Sequence, residues 1–300
     1  MKKKFVFLGD TDSINIEIIS KSHQSLKNKT KYIIIGNNEE LLINLERLSS
    51  KLKINEIYDP IKFTDYKIDY LNIFNVQNIS HKKSDNLLNQ INISNYLANK
   101  SKFDLVTMPI NKSVFKKKID FTGMTEYFGK INNKNTKMLM LGNKFSLIPF
   151  TTHINLKDIS KNITSKKVST FIKDVLKVIK NKIYKIHFKE IKFLCYNPHC
   201  GENGTLGNED VILKKCVTKF KEISGLYSAD SAFNTFKKDT LFISSYHDQG
   251  LIPFKIINKK RINFTLGLDF KRLSPAHGTA KDIKMKGIAD NSSYIECMKF

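Results

Sequence analysis

Tryptophan is absent from this 300-residue chain, and proline, cysteine and arginine are scarce. With six prolines and 13 glycines, neither a collagen-like nor a Pro- or Gly-rich low-complexity chain is possible. The four cysteines, Cys195, Cys200, Cys216 and Cys297, are too few for a disulfide framework at this length. Cys195 and Cys200 flank Tyr-Asn-Pro-His, but there is no CxxC pair. The cysteines therefore read as buried or incidental thiols, and a reducing, cytoplasmic setting is expected. No apolar run approaches the roughly 18 residues of a membrane span, so no membrane partner is expected. The amino-terminal MKKKFVFLGDTD has an apolar core of about five residues, short of the ~7 to 15 of a signal peptide, and Asp10 and Asp12 follow at once.

Acidic residues are also in short supply, 28 against 51 basic ones, for a net charge of +23. A high positive charge invites a nucleic-acid reading. Yet only Arg47, Arg261 and Arg272 are arginine, whereas nucleic-acid surfaces favour its bidentate fork, and the lysines are spread along the whole chain. A lysine-coated surface is the simpler account, and no nucleic-acid partner is expected. At 41% hydrophobic the chain can bury a core of one large or two ordinary domains.

What is present is a series of short apolar runs that close on turn-rich clusters. KKFVFLGD, KYIIIGNN, KFDLVTMPINK, KMLMLGNK, FSLIPFTTH, IKFLCYNPH and TLFISSYHDQG all read as buried strands. Helical patterns lie between them. In TSKKVSTFIKDVLKVIKN, Val168, Phe171, Ile172, Val175, Leu176 and Ile179 share one face, with Thr164 or Ser165 as N-cap. A second helix is expected from near Ser84 through Leu87, Leu88 and Ile91. Alternating strands and helices indicate an α/β fold with a largely parallel sheet. Residues 37–85 yield no chemistry, and there is no internal repeat or linker-like stretch.

His153, His199 and His247 each sit just past the end of an apolar run. In parallel α/β sheets that edge is where ligands bind, so three imidazoles distant in sequence can converge there. Three histidines with an open position make a catalytic divalent-metal site, although each histidine alone is an ordinary loop residue. Asp248, Glu202, Glu209 or Asp158 could accept from the second ring nitrogen of a ligating imidazole. After Pro198 and His199 come Gly201, Gly204 and Gly207, which would let the backbone take positive φ and approach a ligand; a plain flexible loop is the alternative. GENGTLG is not the dinucleotide fingerprint. Arg272 suits a bidentate phosphate or carboxylate contact or a surface ion pair. AHGTAKD, with His277, Gly278 and Thr279, could cradle a nucleotide or simply turn the chain.

Taken in order from about residue 100 to 295, PINK, GMTEY, TTHINLKD, YNPHCGENGTLGNED, YHDQGLIPFK and FTLGLDFKRLSPAHGTAKDI resemble the motifs of the 4-hydroxythreonine-4-phosphate dehydrogenases of pyridoxal 5'-phosphate synthesis. The resemblance implies two α/β/α domains with a cleft between them, similar to isocitrate and isopropylmalate dehydrogenases. Residues 1–120 and 262–300 would form the first domain, and 121–261 the second, which carries the metal-ligand loops. It implies NAD, or NADP, and a divalent ion such as Zn, Mg or Co held by His153, His199 and His247. Substrate contacts would fall at Met124, Thr125, Lys255, Asn263 and Arg272, and cofactor contacts at His277, Gly278, Thr279 and Asp282. Asp230 and the PINK residues Asn111 and Lys112 match positions near the family's active site. Asp248, Lys112 and Asp230 are the candidate catalytic groups.

The implied reaction is oxidation of 4-phosphohydroxy-L-threonine and decarboxylation of the β-keto acid, in a homodimer whose metal site borrows ligands across the interface. A sister activity on 4-phospho-D-threonate or 4-phospho-D-erythronate is the near alternative, and a silent basic binding protein is one from another class. The chain departs from the family pattern at Met124, where a histidine is usual, in GDTDSINIE, which lacks the usual Pro and Gly, and at Ala276, where an acid usually precedes HGTA.

Overall fold

The computed structural model describes residues 2–115 and 121–300. In chain order the first elements are β1 (Lys2–Phe7), α1 (Asn15–Leu26), β2 (Thr30–Gly36), α2 (Asn38–Arg47), β3 (Ile54–Glu56), β4 (Leu71–Asn75), α3 (Lys83–Ser101), β5 (Asp104–Thr107) and α4 (Met124–Ile131). Then come β6 (Lys137–Gly142), β7 (Phe145–Pro149), α5 (Ser165–Ile179), β8 (Glu190–Leu194), α6 (Glu209–Val217), β9 (Gly225–Tyr227), β10 (Thr240–Ser244) and α7 (His247–Ile257). The chain closes with β11 (Arg261–Leu266), β12 (Arg272–Pro275) and α8 (Ser292–Lys299). Every apolar run read as a strand is one, and the α/β expectation holds.

The chain divides into two units. The first comprises 1–134, 262–264 and 268–300, and the second 135–261 and 265–267. Residue 120, the expected end of the first domain's opening segment, lies outside the described residues.

In the first unit the strand order is β3-β4-β2-β1-β5-β12, and each pairing is parallel. β1 and β2 are nearly continuous apolar runs because both faces of a central parallel strand are covered. Phe5, Phe7, Ile33, Ile35, Leu105 and Phe128 share one core with Leu87 and Ile91 of α3. Stretch 37–85 supplies α2, β3 and β4 to this unit.

In the second unit the order is β6-β7-β10-β8-β9, parallel except for the β6–β7 hairpin. α5 buries Val168, Phe171, Ile172, Val175 and Leu176, and Thr164 is its N-cap, accepting from the Lys167 N–H at 3.4 Å. Ile179 is half-buried on the same face. Among the described residues, no helix is long and apolar enough to cross a membrane.

Candidate active-site residues in the two units

β7, β10 and β8 run in parallel in the second unit, so their carboxyl ends lie on one edge. His247 opens α7 directly after β10, and His153 follows β7. Their rings pack with centroids 5.7 Å apart. Gly250 makes this placement possible, because a Cβ there would come within 2.5 Å of the Leu147 side chain on β7. Gln249 fixes the start of α7 from both sides. Its Oε1 accepts from the Ser245 N–H at 2.8 Å, and its Nε2 donates to the Cys195 carbonyl at 2.5 Å. The Nδ1 of His247 lies 2.6 Å from an Asp248 carboxylate oxygen. With Nδ1 donating to that acceptor, Nε2 is left as the ring's acceptor nitrogen.

His199 does not join the pair. Among the described residues, no three His, Cys, Asp or Glu side chains come together as a metal group. The reason is local. Residues 199 to 203 all have positive φ (49°, 56°, 71°, 45° and 58°), a left-handed turn in which only Gly201 escapes the Cβ clash. That turn leaves His199 exposed, with Nδ1 3.8 Å from Asp230. Ser228 donates to Asp230 and is the main influence holding its carboxyl below the ordinary range. The expected glycine conformations are present, with φ of 98° at Gly204 and 126° at Gly207.

The group that organises this loop is one that sequence reasoning passed over. Asp210, buried in the first turn of α6, accepts from the Tyr196 N–H at 2.7 Å and the Asn197 N–H at 2.9 Å. Its neighbour Glu209 accepts from the Asn197 side chain. The only signal available was an acid three residues past Gly207. The reading of all four cysteines as free thiols needs correction. Cys195 and Cys200 are disulfide-bonded with Cα atoms 5.0 Å apart, because the left-handed turn folds Cys200 back onto the end of β8. Cys216 and Cys297 are free and buried.

In the first unit, Arg272 on β12 is 3% exposed. Its Nε and Nη2 donate to the Thr107 hydroxyl at 3.0 and 2.6 Å, its Nη1 lies 3.4 Å from the Thr125 hydroxyl, and its guanidinium stacks over Phe128. Burial lowers its pKa to about 10, which still leaves it charged at neutral pH. Met124 opens α4 and packs its thioether on the unit's core. Lys112 is exposed and donates to the Thr122 carbonyl at 3.0 Å. Asn263 on β11 keeps a buried Oδ1 with no hydrogen-bond partner among the described residues.

His277 Nδ1 donates to the Gly278 carbonyl at 2.9 Å, while its Nε2 is buried without a partner among the described residues. Burial pushes the imidazole pKa down, so the ring is neutral and Nε2 is an acceptor. A Cβ at Gly278 would meet nothing, and the Thr279 carbonyl accepts from the Ile14 N–H at 3.1 Å in the β1–α1 loop. Asp282 is exposed. In that loop Asp12 is gripped by Lys281 and Lys284, and their hydrogen bonds lower its carboxyl to about 2. Beside it lies a cleft of about 820 Å³ lined by Thr11, Glu40, Asn78, His81, Lys83 and Gln90, which no sequence signal marked. Lys255, on α7 in the second unit, is exposed.

The profile of the pyridoxal phosphate biosynthetic protein PdxA family matches residues 28–300. This chain belongs to that family. It is 34% identical to the 4-hydroxythreonine-4-phosphate dehydrogenase of Sulfurihydrogenibium sp. (strain YO3AOP1), across 100% of this chain and 97% of that one. The enzyme of the same name from Hydrogenobaculum sp. (strain Y04AAS1) is 35% identical, covering 100% and 99% of the two chains. Among solved structures, the 4-hydroxythreonine-4-phosphate dehydrogenase from Burkholderia phymatum superposes with a TM-score of 0.78 at 25% identity, covering 100% and 97%. The chain is therefore an enzyme of the dehydrogenase class, with a role in pyridoxal phosphate biosynthesis.

Proposed function

We propose that this chain oxidises 4-phosphohydroxy-L-threonine at C3 with NAD, in a divalent-metal-dependent reaction. The β-keto acid so formed loses carbon dioxide to give 3-amino-2-oxopropyl phosphate for pyridoxal 5'-phosphate biosynthesis. In a chain of this family, the observation that carries the reading is the side-by-side pairing of His153 and His247 at the strand ends, with Asp248 orienting His247.

These two imidazoles would hold a divalent ion as donors, with His199 of a second copy as the third ligand. The bound ion, such as Zn, Mg or Co, supplies positive charge that acidifies the reacting hydroxyl and favours the negative charge developing during decarboxylation. Apolar residues beside each histidine support the second copy. Ile154 and Leu156 follow His153, Ile252 and Ile256 stand four apart on α7 after His247, and Leu206 and Val211 follow His199, all of them exposed. Such patches next to a site mark a surface that a partner covers.

The remaining roles fall to the chain's own groups. Arg272 is a fixed cation for the substrate's phosphate or carboxylate, with Thr125, Asn263 and Lys255 as the other polar contacts. Asp248, Lys112 and Asp230 are the candidates for carrying the hydroxyl proton as hydride leaves C3 for the nicotinamide. His277, Gly278, Thr279 and Asp282 would take the cofactor, with open space beside Gly278.

A sister substrate, 4-phospho-D-threonate or 4-phospho-D-erythronate, is favoured by one observation. Met124 stands where the family usually has a histidine and packs, partly buried, on the first unit's core, so the position lacks an imidazole nitrogen that could accept from the amino group, which the sugar acids do not carry. NADH absorbance with metal-loaded protein and each substrate, beside a chelated sample, tests both readings. Metal-dependent turnover of 4-phosphohydroxy-L-threonine is expected. Turnover of the sugar acid alone would transfer the assignment to the sister reaction, and silence on both, with NAD and metal bound, would sink both.

A further inference from the structure

We infer that Cys195 and Cys200 form a reversible redox site that sets the position of His199. The inference rests on the reading of His199 as a metal ligand, but its first readouts do not depend on that reading. The bridge closes a small ring that contains Tyr196, Asn197, Pro198 and His199. One end of the ring is rigid. Cys195 is fully buried at the end of β8, its N–H donates to the Tyr227 carbonyl at 2.9 Å, and its carbonyl accepts from Gln249. The other end is the partly exposed Cys200, adjacent to His199 on the left-handed turn.

Hydrogen bonds brace that turn on either side of His199 and Cys200, the Thr205 hydroxyl donating to the Glu202 carbonyl at 2.8 Å among them. Asp210 grips Tyr196 and Asn197, which precede His199, and the Leu206 N–H reaches the Gly201 carbonyl at 3.2 Å. Among the described residues, the ionic partner of His199 is Asp230, at 3.8 Å and exposed. His199, Cys200, Glu202 and Asn203 all occupy left-handed backbone, which disfavours side chains with a Cβ. The disulfide therefore holds a conformation that the chain leaves once the bridge opens. Cys216 and Cys297 are buried and unbonded, so neither competes for the partner.

Accessibility sets the order of the chemistry. The Cys200 thiolate attacks a low-molecular-weight disulfide and expels one small thiol, which leaves a mixed disulfide. The Cys195 thiolate then displaces the second small thiol as the Cys195–Cys200 bond forms. Two protein thiols are oxidised by two electrons, and the small disulfide is reduced to two thiols that take up the two protons. A dithiol reductant runs the sequence backwards, attacking first at Cys200.

The test uses the full chain equilibrated either with oxidised glutathione or with dithiothreitol. Three quantities are read: thiols titrated in denaturant, amide exchange across residues 196–207, and zinc affinity by competition with a chelating dye. The oxidised sample should show two fewer thiols, slower exchange in the loop, and zinc bound about 10-fold more tightly, the scale seen when a support of a metal ligand is lost. Cys200→Ser should show three thiols under both conditions, with the loop exchange and zinc affinity of the reduced protein. Four free thiols in excess oxidised glutathione would overturn the inference, as would a bridge that forms without changing loop exchange. If the thiol count and exchange respond but neither form binds zinc, the redox site stands and the metal role of His199 falls.

Discussion

The two units treat their chemically important side chains in opposite ways. In the first, the polar groups are tied down internally: Arg272 to Thr107, Lys4 to Asp104, Asp10 to Lys83, and Asp12 to Lys281 and Lys284. In the second, His199 and Asp230 have side chains 66% and 61% exposed, and apolar residues beside the histidines face outward. A buried charge must carry its partner with it, because desolvation is costly. An exposed imidazole needs none, and can wait for a metal or a second copy to complete its surroundings. The first unit thus fixes these charges internally, while the second leaves His199 and Asp230 open to solvent.

The contrast is broken most directly at His199. Replacing it with Ala should weaken zinc binding by more than about 100-fold, beyond the loss typical of an outer partner, with folding stability nearly unchanged. Equilibrium dialysis and a urea titration would read the two quantities. Undiminished metal binding would remove the second unit's assigned role.

The opposite signature is expected from Asp104→Ala. Lys4 is fully buried, 3.0 Å from Asp104, and burial lowers its pKa despite that partner. Leaving it uncompensated should cost about 3 kcal/mol. The urea midpoint should fall accordingly, and Lys4→Met added to the Asp104 variant should restore most of the loss. Asp248→Asn tests a smaller element of the second unit. It should weaken zinc binding by about 10-fold without altering the urea midpoint, since the side chain is exposed and its partner among the described residues is His247.

The smallest effect expected is one of pH. His23, whose Nδ1 is 2.7 Å from the Tyr32 hydroxyl, and His277 both have pKa values depressed mainly by burial. Each contributes stability that is whole above the unfolded pKa of about 6.5 and is lost as pH falls, because the unfolded chain takes the proton first. The stability of the protein should therefore decline between pH 7 and 5, and His23→Gln should flatten part of that slope in urea midpoints measured against pH.

The strands were legible because central parallel strands are continuous apolar runs, and α5 because its apolar positions recur at the helical period. The histidines were legible as candidates for the same reason, since each closes a recognisable strand. Arg272 stood out through its scarcity and through the resemblance of its KRLS motif. Its burial against Thr107 and Phe128 was not readable, because those partners lie more than a hundred residues away in the chain. Asp210 was missed for a related reason: its value comes from two backbone N–H groups 13 and 14 positions before it.

By itself, then, the sequence determined the elements, the strand ends on which the histidines sit, and the glycines that permit a tight loop after His199. Those depend on local pattern, which neighbouring residues carry. The tertiary structure alone decided that His153 and His247 pair while His199 turns away, that Cys195 meets Cys200, and that Asp210 rather than Glu209 holds the loop backbone. These depend on the handedness of one turn and on contacts between elements, and the same residues strung along an extended chain would show none of them.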